Sequence, residues 1–291
     1  MPVSLPVPPP ELAARIGGEY DRYREIGLGH RTNVEALLPA GWSFENRAVL
    51  DFGCGTGRTL AAFAAEAKHG EFVGCDIHAE SITWADAHLS PPFEFFLCGE
   101  SPPLDQPDER FHLVYAMSVF SHITAQWSSW LVELHRVMRP GALAVITVLG
   151  PAMSQQVLGR DWDDRIGMAT VQLDKDWSIG GPNVLLAEWW VREHWGRAFE
   201  ILRYQASDPA AGADQDYLLL QRRDVSVTAA ELARVDRSDP RELAAEQCNR
   251  ELAAPDDGGL AAPENRLHGE GWIRRAVRRS VAAVRDLSGR E

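Results

Sequence analysis

Cysteine, long apolar runs and positive charge are all scarce in this chain of 291 residues. Its four cysteines form no C-x-x-C motif and accompany no histidine cluster, which argues against a disulfide framework and a zinc site. No apolar run is long enough to span a bilayer, and proline interrupts the first ten residues, where a signal peptide needs a continuous apolar core. We therefore expect a cytoplasmic protein without a resident metal.

The charge balance is acidic, with a formal net charge of −13 at pH 7. Phosphate binding needs a basic face, so nucleic acid is not an expected partner. Hydrophobic residues make up 45% of the chain, which is enough for a full core. The length allows one large domain, or one domain with additions.

A glycine-rich stretch near residue 55 is the most informative local pattern. Residues 48–52 form a short apolar run broken by Asp51, as in a buried parallel strand. The loop that follows consists of Gly53, Cys54, Gly55, Thr56 and Gly57. Alternate glycines let the backbone turn sharply and approach a ligand closely, and the helical pattern from Thr59 supplies a helix N-terminus. The stretch predicts a nucleotide-like cofactor at the carboxyl end of a parallel sheet.

A second acid follows at a meaningful spacing. Residues 71–76 are predicted as the next strand, which ends at Asp76, about twenty residues after the glycine loop. A carboxylate offers two acceptor oxygens to the two neighbouring hydroxyls of a ribose. Asp76 is therefore the predicted ribose-binding residue.

The arrangement D-x-G-x-G-x-G, with Asp51 two residues before Gly53, resembles the first motif of the class I S-adenosylmethionine-dependent methyltransferases. The resemblance covers roughly residues 45–222. It implies a Rossmann-like α/β fold with a seven-stranded sheet, mostly parallel with an antiparallel last strand, and helices on both faces. It also implies S-adenosyl-L-methionine as the cofactor, with the loop holding the methionine part and Asp51 its ammonium group. An NAD enzyme, whose fingerprint is G-x-G-x-x-G, is a distant alternative.

The same resemblance implies further cofactor contacts along the chain. Ile77 occupies the place of an apolar residue that packs on adenine, and Glu100 that of an acid that accepts the adenine amino hydrogens. The motif that begins at Ser118 follows the fourth strand and would line the channel between cofactor and acceptor. The additional cofactor-binding residues are then Ile77, Gly99, Glu100, Ser101 and Ser118.

An insertion at residues 150–197 is the expected acceptor site, because it holds five of the ten tryptophans together with several aspartates. A tryptophan ring has a flat apolar face and one donor, which suits a ligand with apolar and polar sides, such as a sugar. The predicted acceptor-binding residues are Trp162, Asp164 and Trp177. Packing in the core is the equal alternative for these positions.

His122 is the first candidate for a general base, since it follows the strand whose end would face the transferred methyl group. Asp163 is the second candidate. Ordering of the loop is the alternative role for His122. The leading function is O-methylation of a hydroxyl on a sugar, glycan or secondary metabolite. N-methylation of an amine or a protein side chain, and a non-catalytic module that binds S-adenosylmethionine, remain open.

The resemblance also divides the chain into three parts. Residues 1–44 form a helical cap, residues 45–223 the methyltransferase domain, and residues 224–291 a helical extension. In the cap, a pair of helices interrupted at residues 27–29 is predicted. Tyr20 or Arg31 in this cap would touch the methionine carboxylate, although packing of a surface helix on the sheet is the simpler expectation.

The extension carries its own helix signals. Thr228 and Glu231 form a capping box, and Asp239-Pro240 opens a second helix before a Pro/Gly-rich linker at residues 254–265. Between residues 272 and 287, apolar residues recur at helical spacing among five arginines. This pattern predicts a basic amphipathic helix that docks on the protein itself, on a partner or on an anionic membrane surface. A homo-oligomer is also open.

Overall fold

The computed structural model describes residues 5–17, 20–172, 175, 181–209 and 214–253. Its strands are β1 (Ala48–Phe52), β2 (Glu71–Asp76), β3 (Phe93–Leu97), β4 (Phe111–Ala116), β5 (Met138–Val148), β6 (Met168–Val171), β7 (Asn183–Leu186), β8 (Phe199–Gln205) and β9 (Asp216–Arg222). Its α-helices are α1 (Pro10–Arg15), α2 (Tyr23–Leu37), α3 (Ala79–Leu89), α4 (Trp127–Val137), α5 (Ser154–Val157), α6 (Glu188–His194), α7 (Ala229–Ala233) and α8 (Pro240–Ala253). The linker at 254–265 and the basic segment at 272–287 lie outside the described residues.

Seven strands form one sheet in the order β3-β2-β1-β4-β5-β9-β8. Strands β1 to β5 are mutually parallel, whereas β9 runs antiparallel to both of its neighbours, β5 and β8. This topology confirms the predicted sheet with its antiparallel last strand. The strand order reverses between β1 and β4, so a crevice opens at the carboxyl ends of these two strands.

Two apolar cores cover the two faces of the sheet. All five residues of β1 are buried, and successive side chains of a strand point to opposite faces. Leu50 joins the core formed with Leu131 and Leu134 of α4. Val49 joins the other core, with Val34 of α2. The glycine loop therefore follows a strand that is anchored on both sides.

Helix α2 is continuous from Tyr23 to Leu37, so the predicted interruption at residues 27–29 is wrong. A Cβ atom on Gly27 would lie 2.4 Å from the carbonyl oxygen of Arg58. Glycine is therefore present for close approach of the helix to the loop and not as a helix terminator. Farther along α2, Asn33 Nδ2 donates to the Tyr217 hydroxyl at 2.8 Å and fastens the helix to β9.

The helical pattern after Thr59 forms two short 3-10 turns, Leu60–Phe63 and Glu66–Lys68, where an α-helix was predicted. Side chains three residues apart eclipse one another in a 3-10 helix. Leu60 and Phe63 have this spacing and are both fully buried. The tighter turn therefore places both side chains in the same core.

The insertion and the extension both contact the main domain. Strands β6 and β7 form a separate antiparallel pair, and the Leu186 N–H donates to the Leu149 carbonyl at 2.8 Å. The capping box predicted at Thr228 is present at α7, and α8 begins at Pro240 as predicted. His194 Nδ1 donates to the Leu232 carbonyl at 2.7 Å, which ties the insertion to α7. Within the described residues, every helix is too short or too polar to traverse a bilayer.

Candidate functional site

The glycine loop has a conformation that requires its glycines. Gly53, Gly55 and Gly57 have φ angles of +79°, +54° and +73°, a region that side chains with a Cβ rarely adopt. A Cβ on Gly53 would lie 2.3 Å from Val119 Cγ2, and one on Gly55 would lie 2.3 Å from Ile16 Cγ2. The loop thus forms a cradle between the segment after β4 and the end of α1.

Asp76 binds this loop from the end of β2. Its Oδ2 accepts the Gly55 N–H at 2.8 Å, and its Oδ1 accepts the His78 N–H at 2.9 Å. Each carboxylate oxygen has a second lone pair that these bonds leave available. The side chain is partly exposed, so Asp76 can accept hydrogen bonds from two ligand hydroxyls while it holds the loop.

Asp51 is a buried acid on the strand below the loop, and 2% of it is exposed. Its Oδ2 has no hydrogen-bond partner of good geometry among the described residues, although the buried Tyr115 hydroxyl lies near enough to lower the pKa of Asp51. Burial raises the pKa of the Asp51 carboxyl well above its ordinary value, and the charge of Asp76 raises it further. An unpaired buried carboxylate is costly, whereas an ammonium group beside it would pair the charge. The residues therefore fit a ligand with a cationic amino group.

The cap reaches the same loop through side-chain contacts. The Tyr23 hydroxyl lies 2.8 Å from Thr56 Oγ1, and burial raises the pKa of Tyr23 to about 12. His30 Nδ1 lies 3.1 Å from Thr59 Oγ1. Arg58 donates to the carbonyls of Gly17 at 2.7 Å and Ile16 at 3.1 Å. Tyr23 and His30 were noted in the cap from the sequence, but no contact with the loop was predicted for them or for Arg58, which directly follows the last glycine of the loop.

Two cap residues suggested for the methionine carboxylate have other surroundings. Tyr20 is exposed to 43%. Arg31 donates to Glu66 at 2.7 Å, to Glu35 at 3.0 Å and to the Ala62 carbonyl at 2.7 Å. These three acceptors engage all three nitrogens of the Arg31 guanidinium, and its role at the methionine carboxylate stays a prediction.

The residues expected around adenine follow β2 and β3. Ile77 is partly buried directly after Asp76, and Gly99 and Glu100 are exposed after β3. The Glu100 carbonyl accepts the Trp130 Nε1–H at 3.3 Å, and Ser101 Oγ accepts Gln126 Nε2–H at 2.7 Å. These bonds fix the backbone of the turn and leave the Glu100 carboxylate at the surface.

The segment after β4 is held by β5 and by the insertion. Ser118 has a φ of +58°, and its N–H donates to Thr147 Oγ1 at 2.8 Å. His122 Nδ1 lies 2.8 Å from the Pro182 carbonyl, which can only accept, so Nδ1 carries the proton and Nε2 the lone pair of the neutral ring. Burial lowers the pKa of His122. Its ring is therefore neutral and oriented, as a proton acceptor requires.

The acceptor residues predicted in the insertion are not assembled into one site by the described residues. Trp162 is partly buried and packs on the apolar clusters around Leu149 and Ile166. Asp163 forms a 2.7 Å ion pair with Arg165, and the hydrogen bonds from Arg165 lower the pKa of Asp163. Asp164 is exposed, and Trp177 lies outside the described residues. A lowered pKa makes Asp163 a weaker proton acceptor than an ordinary carboxylate.

A different cleft, of about 730 Å³, opens at the amino ends of β1 and β2. It is lined by Glu35, Trp42 and His69 among others. Ligands of open α/β sheets bind at the carboxyl ends of the strands, where the glycine loop, Asp51 and Asp76 converge. The crevice at the loop is therefore the candidate cofactor site.

Part of the chain matches known methyltransferases. Residues 49–141 match the family model described as a methyltransferase domain. The chain is 25% identical to a fatty-acid O-methyltransferase of Mycolicibacterium smegmatis, over 57% of this chain and 56% of the relative. It is 28% identical to a malonyl-[acyl-carrier protein] O-methyltransferase of Pectobacterium atrosepticum, over 51% and 55%. The chain thus spans about half the length of the curated relatives it matches.

Solved structures support the fold. A candidate S-adenosylmethionine-dependent methyltransferase from Listeria monocytogenes aligns with a TM-score of 0.50 at 17% identity, covering 69% of this chain and 100% of that one. A protein from Pyrococcus horikoshii OT3 aligns with a TM-score of 0.51 at 16% identity, covering 72% and 93%. Residues 49–141 thus match a methyltransferase domain, and these two structures share the fold of the chain.

Proposed function

We propose that the chain is an S-adenosylmethionine-dependent methyltransferase that methylates an oxygen atom of a small acceptor. The observation that carries the proposal is the buried Asp51 carboxylate, whose Oδ2 has no hydrogen-bond partner of good geometry among the described residues, beneath a glycine loop that Asp76 holds from the next strand. An amino acid ammonium and a ribose are the two groups that these acids suit. When bound, S-adenosylmethionine supplies a methyl group that is already activated by the positive charge on its sulfur.

The contribution of the protein to such a transfer is mainly alignment. The loop, Asp51 and Asp76 belong to rigid strand ends, so they can hold one reactant in a fixed position. Good alignment of two reactants can lower a barrier by about 7 to 11 kcal/mol. The remaining requirement is removal of a proton when the acceptor is a hydroxyl.

His122 is the residue proposed to take that proton. Its Nδ1–H is engaged by the Pro182 carbonyl, and its ring is neutral because burial lowers its pKa. A neutral imidazole can remove the proton of an acceptor hydroxyl, a step that typically accelerates a reaction by about 10²- to 10⁴-fold. Asp163 is less suited, since it is paired with Arg165.

Oxygen is the favoured acceptor atom, because relatives from Mycolicibacterium smegmatis and Pectobacterium atrosepticum are named as O-methyltransferases. The acceptors in their names are a fatty acid and a malonyl-[acyl-carrier protein], which are carboxyl compounds. The sugar or glycan predicted from the sequence depended on tryptophans and aspartates in the insertion. Since Trp162 packs on apolar clusters and Asp163 is paired, we place lipid-like hydroxyl or carboxyl compounds ahead of sugars as acceptors.

Two measurements test the proposal. Calorimetry with S-adenosylhomocysteine should show binding to the wild-type chain and a roughly 10- to 100-fold loss in Asp51→Asn, because a charge-assisted bond of about 1.5 to 3 kcal/mol is removed. Glu94→Gln, which neutralises an exposed carboxylate on β3, is the matched control and should bind normally. Wild-type protein without measurable affinity would overturn the proposal.

The second measurement identifies the acceptor. Radiolabelled methyl groups should appear on at least one member of a panel of fatty acids, hydroxylated lipids and sugar nucleotides. Binding of S-adenosylhomocysteine without transfer to any oxygen acceptor would contradict the O-methyltransferase assignment and favour an amine acceptor or a non-catalytic role.

A further inference from the structure

Arg58 is a cation in an unusual position at the candidate cofactor site. It directly follows Gly57, and its side chain is partly buried between the glycine loop and the cap. Among the residues that the structure describes, no carboxylate lies within the 4.0 Å that defines an ion pair with its guanidinium. Buried arginines are normally paired with an anion, so the arrangement calls for a negatively charged partner.

The surroundings of Arg58 leave donors available for such a partner. A guanidinium has five N–H donors, and the described bonds engage one nitrogen with the Gly17 carbonyl and another with the Ile16 carbonyl. The ring of Tyr23 lies 5.8 Å from the guanidinium carbon. Burial lowers the pKa of Arg58 to about 10, so the side chain remains charged at neutral pH. Two neutral carbonyls do not balance that charge.

Arg58 and Asp51 carry opposite charges on the two sides of the same loop. Their charges interact, since Arg58 lowers the pKa of Asp51 and Asp51 raises that of Arg58. An amino acid group carries an ammonium and a carboxylate on one carbon atom. The anion Asp51 suits the ammonium group, and the forked cation Arg58 suits the carboxylate, because a guanidinium matches carboxylate geometry.

We propose that Arg58 binds the α-carboxylate of the methionine part of the cofactor, and that Arg58 and Asp51 together make the site specific for a cofactor with an intact amino acid group. The inference rests on the proposed function, because it names a further residue of the same site. It assigns to Arg58 the role that the sequence suggested for Tyr20 or Arg31. It also predicts that adenosyl compounds without the carboxylate bind poorly.

The same side chain links the cofactor to the cap. Because Arg58 holds the carbonyls of Ile16 and Gly17, a carboxylate bound to it would share a guanidinium with the end of α1. Ile16 also contacts Gly55, since a Cβ on that glycine would lie 2.3 Å from Ile16 Cγ2. Binding of an intact cofactor is therefore expected to hold this segment more firmly, and slower amide hydrogen exchange at the end of α1 would report it.

Calorimetry with three ligands tests the role of Arg58. The ligands are S-adenosylhomocysteine, its decarboxylated analogue, and 5′-methylthioadenosine, which lacks the whole amino acid group. Wild-type protein should prefer S-adenosylhomocysteine to the decarboxylated analogue by at least about 10-fold, the effect of one charge-assisted pair. Arg58→Met should remove that preference and leave the affinity for 5′-methylthioadenosine within about threefold. Arg58→Lys should retain part of the preference, since lysine keeps the charge without the fork.

The control variant is Arg47→Met, which removes a cation stacked 4.2 Å over Trp42 at the amino end of β1. It should leave all three affinities unchanged. An unaltered preference in Arg58→Met, or an equal loss for 5′-methylthioadenosine, would overturn the inference. If Arg58→Met does not fold, the preference measured in Arg58→Lys decides, and a value equal to that of the wild type would overturn it. Failure of the proposed function is distinguishable, because wild-type protein would then bind none of the three ligands.

Discussion

The backbone N–H of Gly55 donates to Oδ2 of Asp76 at 2.8 Å, so the middle of the glycine loop is fastened to the end of the neighbouring strand. The second oxygen of this carboxylate accepts the His78 N–H at the start of α3. One side chain thus orients the loop, the strand end and the following helix. A ligand that uses the remaining lone pairs meets a carboxylate whose position is already set.

Asp76→Asn should weaken binding of 5′-methylthioadenosine by roughly 10- to 100-fold. An amide has only one acceptor oxygen, so it cannot accept both backbone N–H groups and also serve two ribose hydroxyls. Calorimetry measures the change, and unfolding by urea shows whether the variant remains folded. Affinity equal to that of the wild type would contradict a ribose-binding role for Asp76.

Gly55→Ala should destabilise the protein for two separable reasons. A side chain at a φ of +54° costs about 1 to 2 kcal/mol, and overpacking against Ile16 costs about 1 to 3 kcal/mol. In the double variant Gly55→Ala/Ile16→Ala only the overpacking is relieved. The free energies of unfolding from urea titrations should therefore be non-additive, with the double variant more stable than the sum of the two single changes. Additive values would show that Ile16 does not press on the loop.

If His122 is the general base, methyl transfer to a hydroxyl acceptor should show a specific pH dependence. The ring must be neutral to accept a proton, and burial lowers its pKa below the ordinary value of about 6.5. The decline of the rate toward acid pH should therefore be centred below pH 6.5. A profile of kcat/KM against pH measures this decline, and a decline centred above pH 6.5 would exclude His122 as the base.

A substitution adds an independent check on His122. His122→Gln should lower kcat for a hydroxyl acceptor by about 10²- to 10⁴-fold, the usual contribution of a general base. A carboxyl acceptor is already ionised and should be methylated at a nearly unchanged rate. Equal losses for both acceptors would indicate that His122 orders the loop instead.

The buried pair of His194 and Glu242 gives a prediction about stability. Nε2 of His194 lies 2.9 Å from Oε1 of Glu242, and the two side chains are only 2% and 3% exposed. His194 Nδ1–H donates to the Leu232 carbonyl, whereas Nε2 of His194 and Oε1 of Glu242 have no hydrogen-bond partner of good geometry among the described residues. Burial lowers the pKa of His194 and raises that of Glu242, which favours the neutral pair with a protonated acid.

Glu242→Gln keeps the shape of the buried side chain and should cost less than Glu242→Ala, which leaves a cavity beside His194. The folded pKa of Glu242 is raised, so its stabilising effect is present at low pH and is lost as the pH rises through that pKa. The stability of Glu242→Gln relative to the wild type should therefore increase from pH 5 to pH 7 in urea titrations. A constant difference would mean that Glu242 does not titrate in this range.

The parts of the fold that were predictable from the sequence are those set by short-range patterns. The apolar run at β1, the alternate glycines and the position of Asp76 all lie within about thirty residues, and each has a local physical signature. The antiparallel β9 was predictable because two strand-like segments joined by a short polar loop matched its position in the resembling family. For Asp163, the pairing with Arg165 spans only two residues, yet an exposed local ion pair carries little sequence signal.

Features that depend on distant contacts were not predictable. Gly27 interrupts a helical pattern locally, but its lack of a side chain lets α2 contact the Arg58 backbone, 31 residues away in sequence. Arg58 itself meets the Gly17 carbonyl across 41 residues. The surroundings of Asp51 were not predictable either, because the sequence shows only that an acid interrupts an apolar strand. Its lack of a partner becomes visible once the surrounding side chains are placed.

The hydrogen bond from Asn33 to Tyr217 connects positions 184 residues apart. A ribosome that adds about 5 to 20 residues per second needs roughly 10 to 40 s to synthesise that interval. During this time, nascent α2 cannot gain its link to the final strand of the sheet. The cover of the loop is therefore completed late in translation, and a newly made chain should capture its cofactor only after synthesis has passed β9.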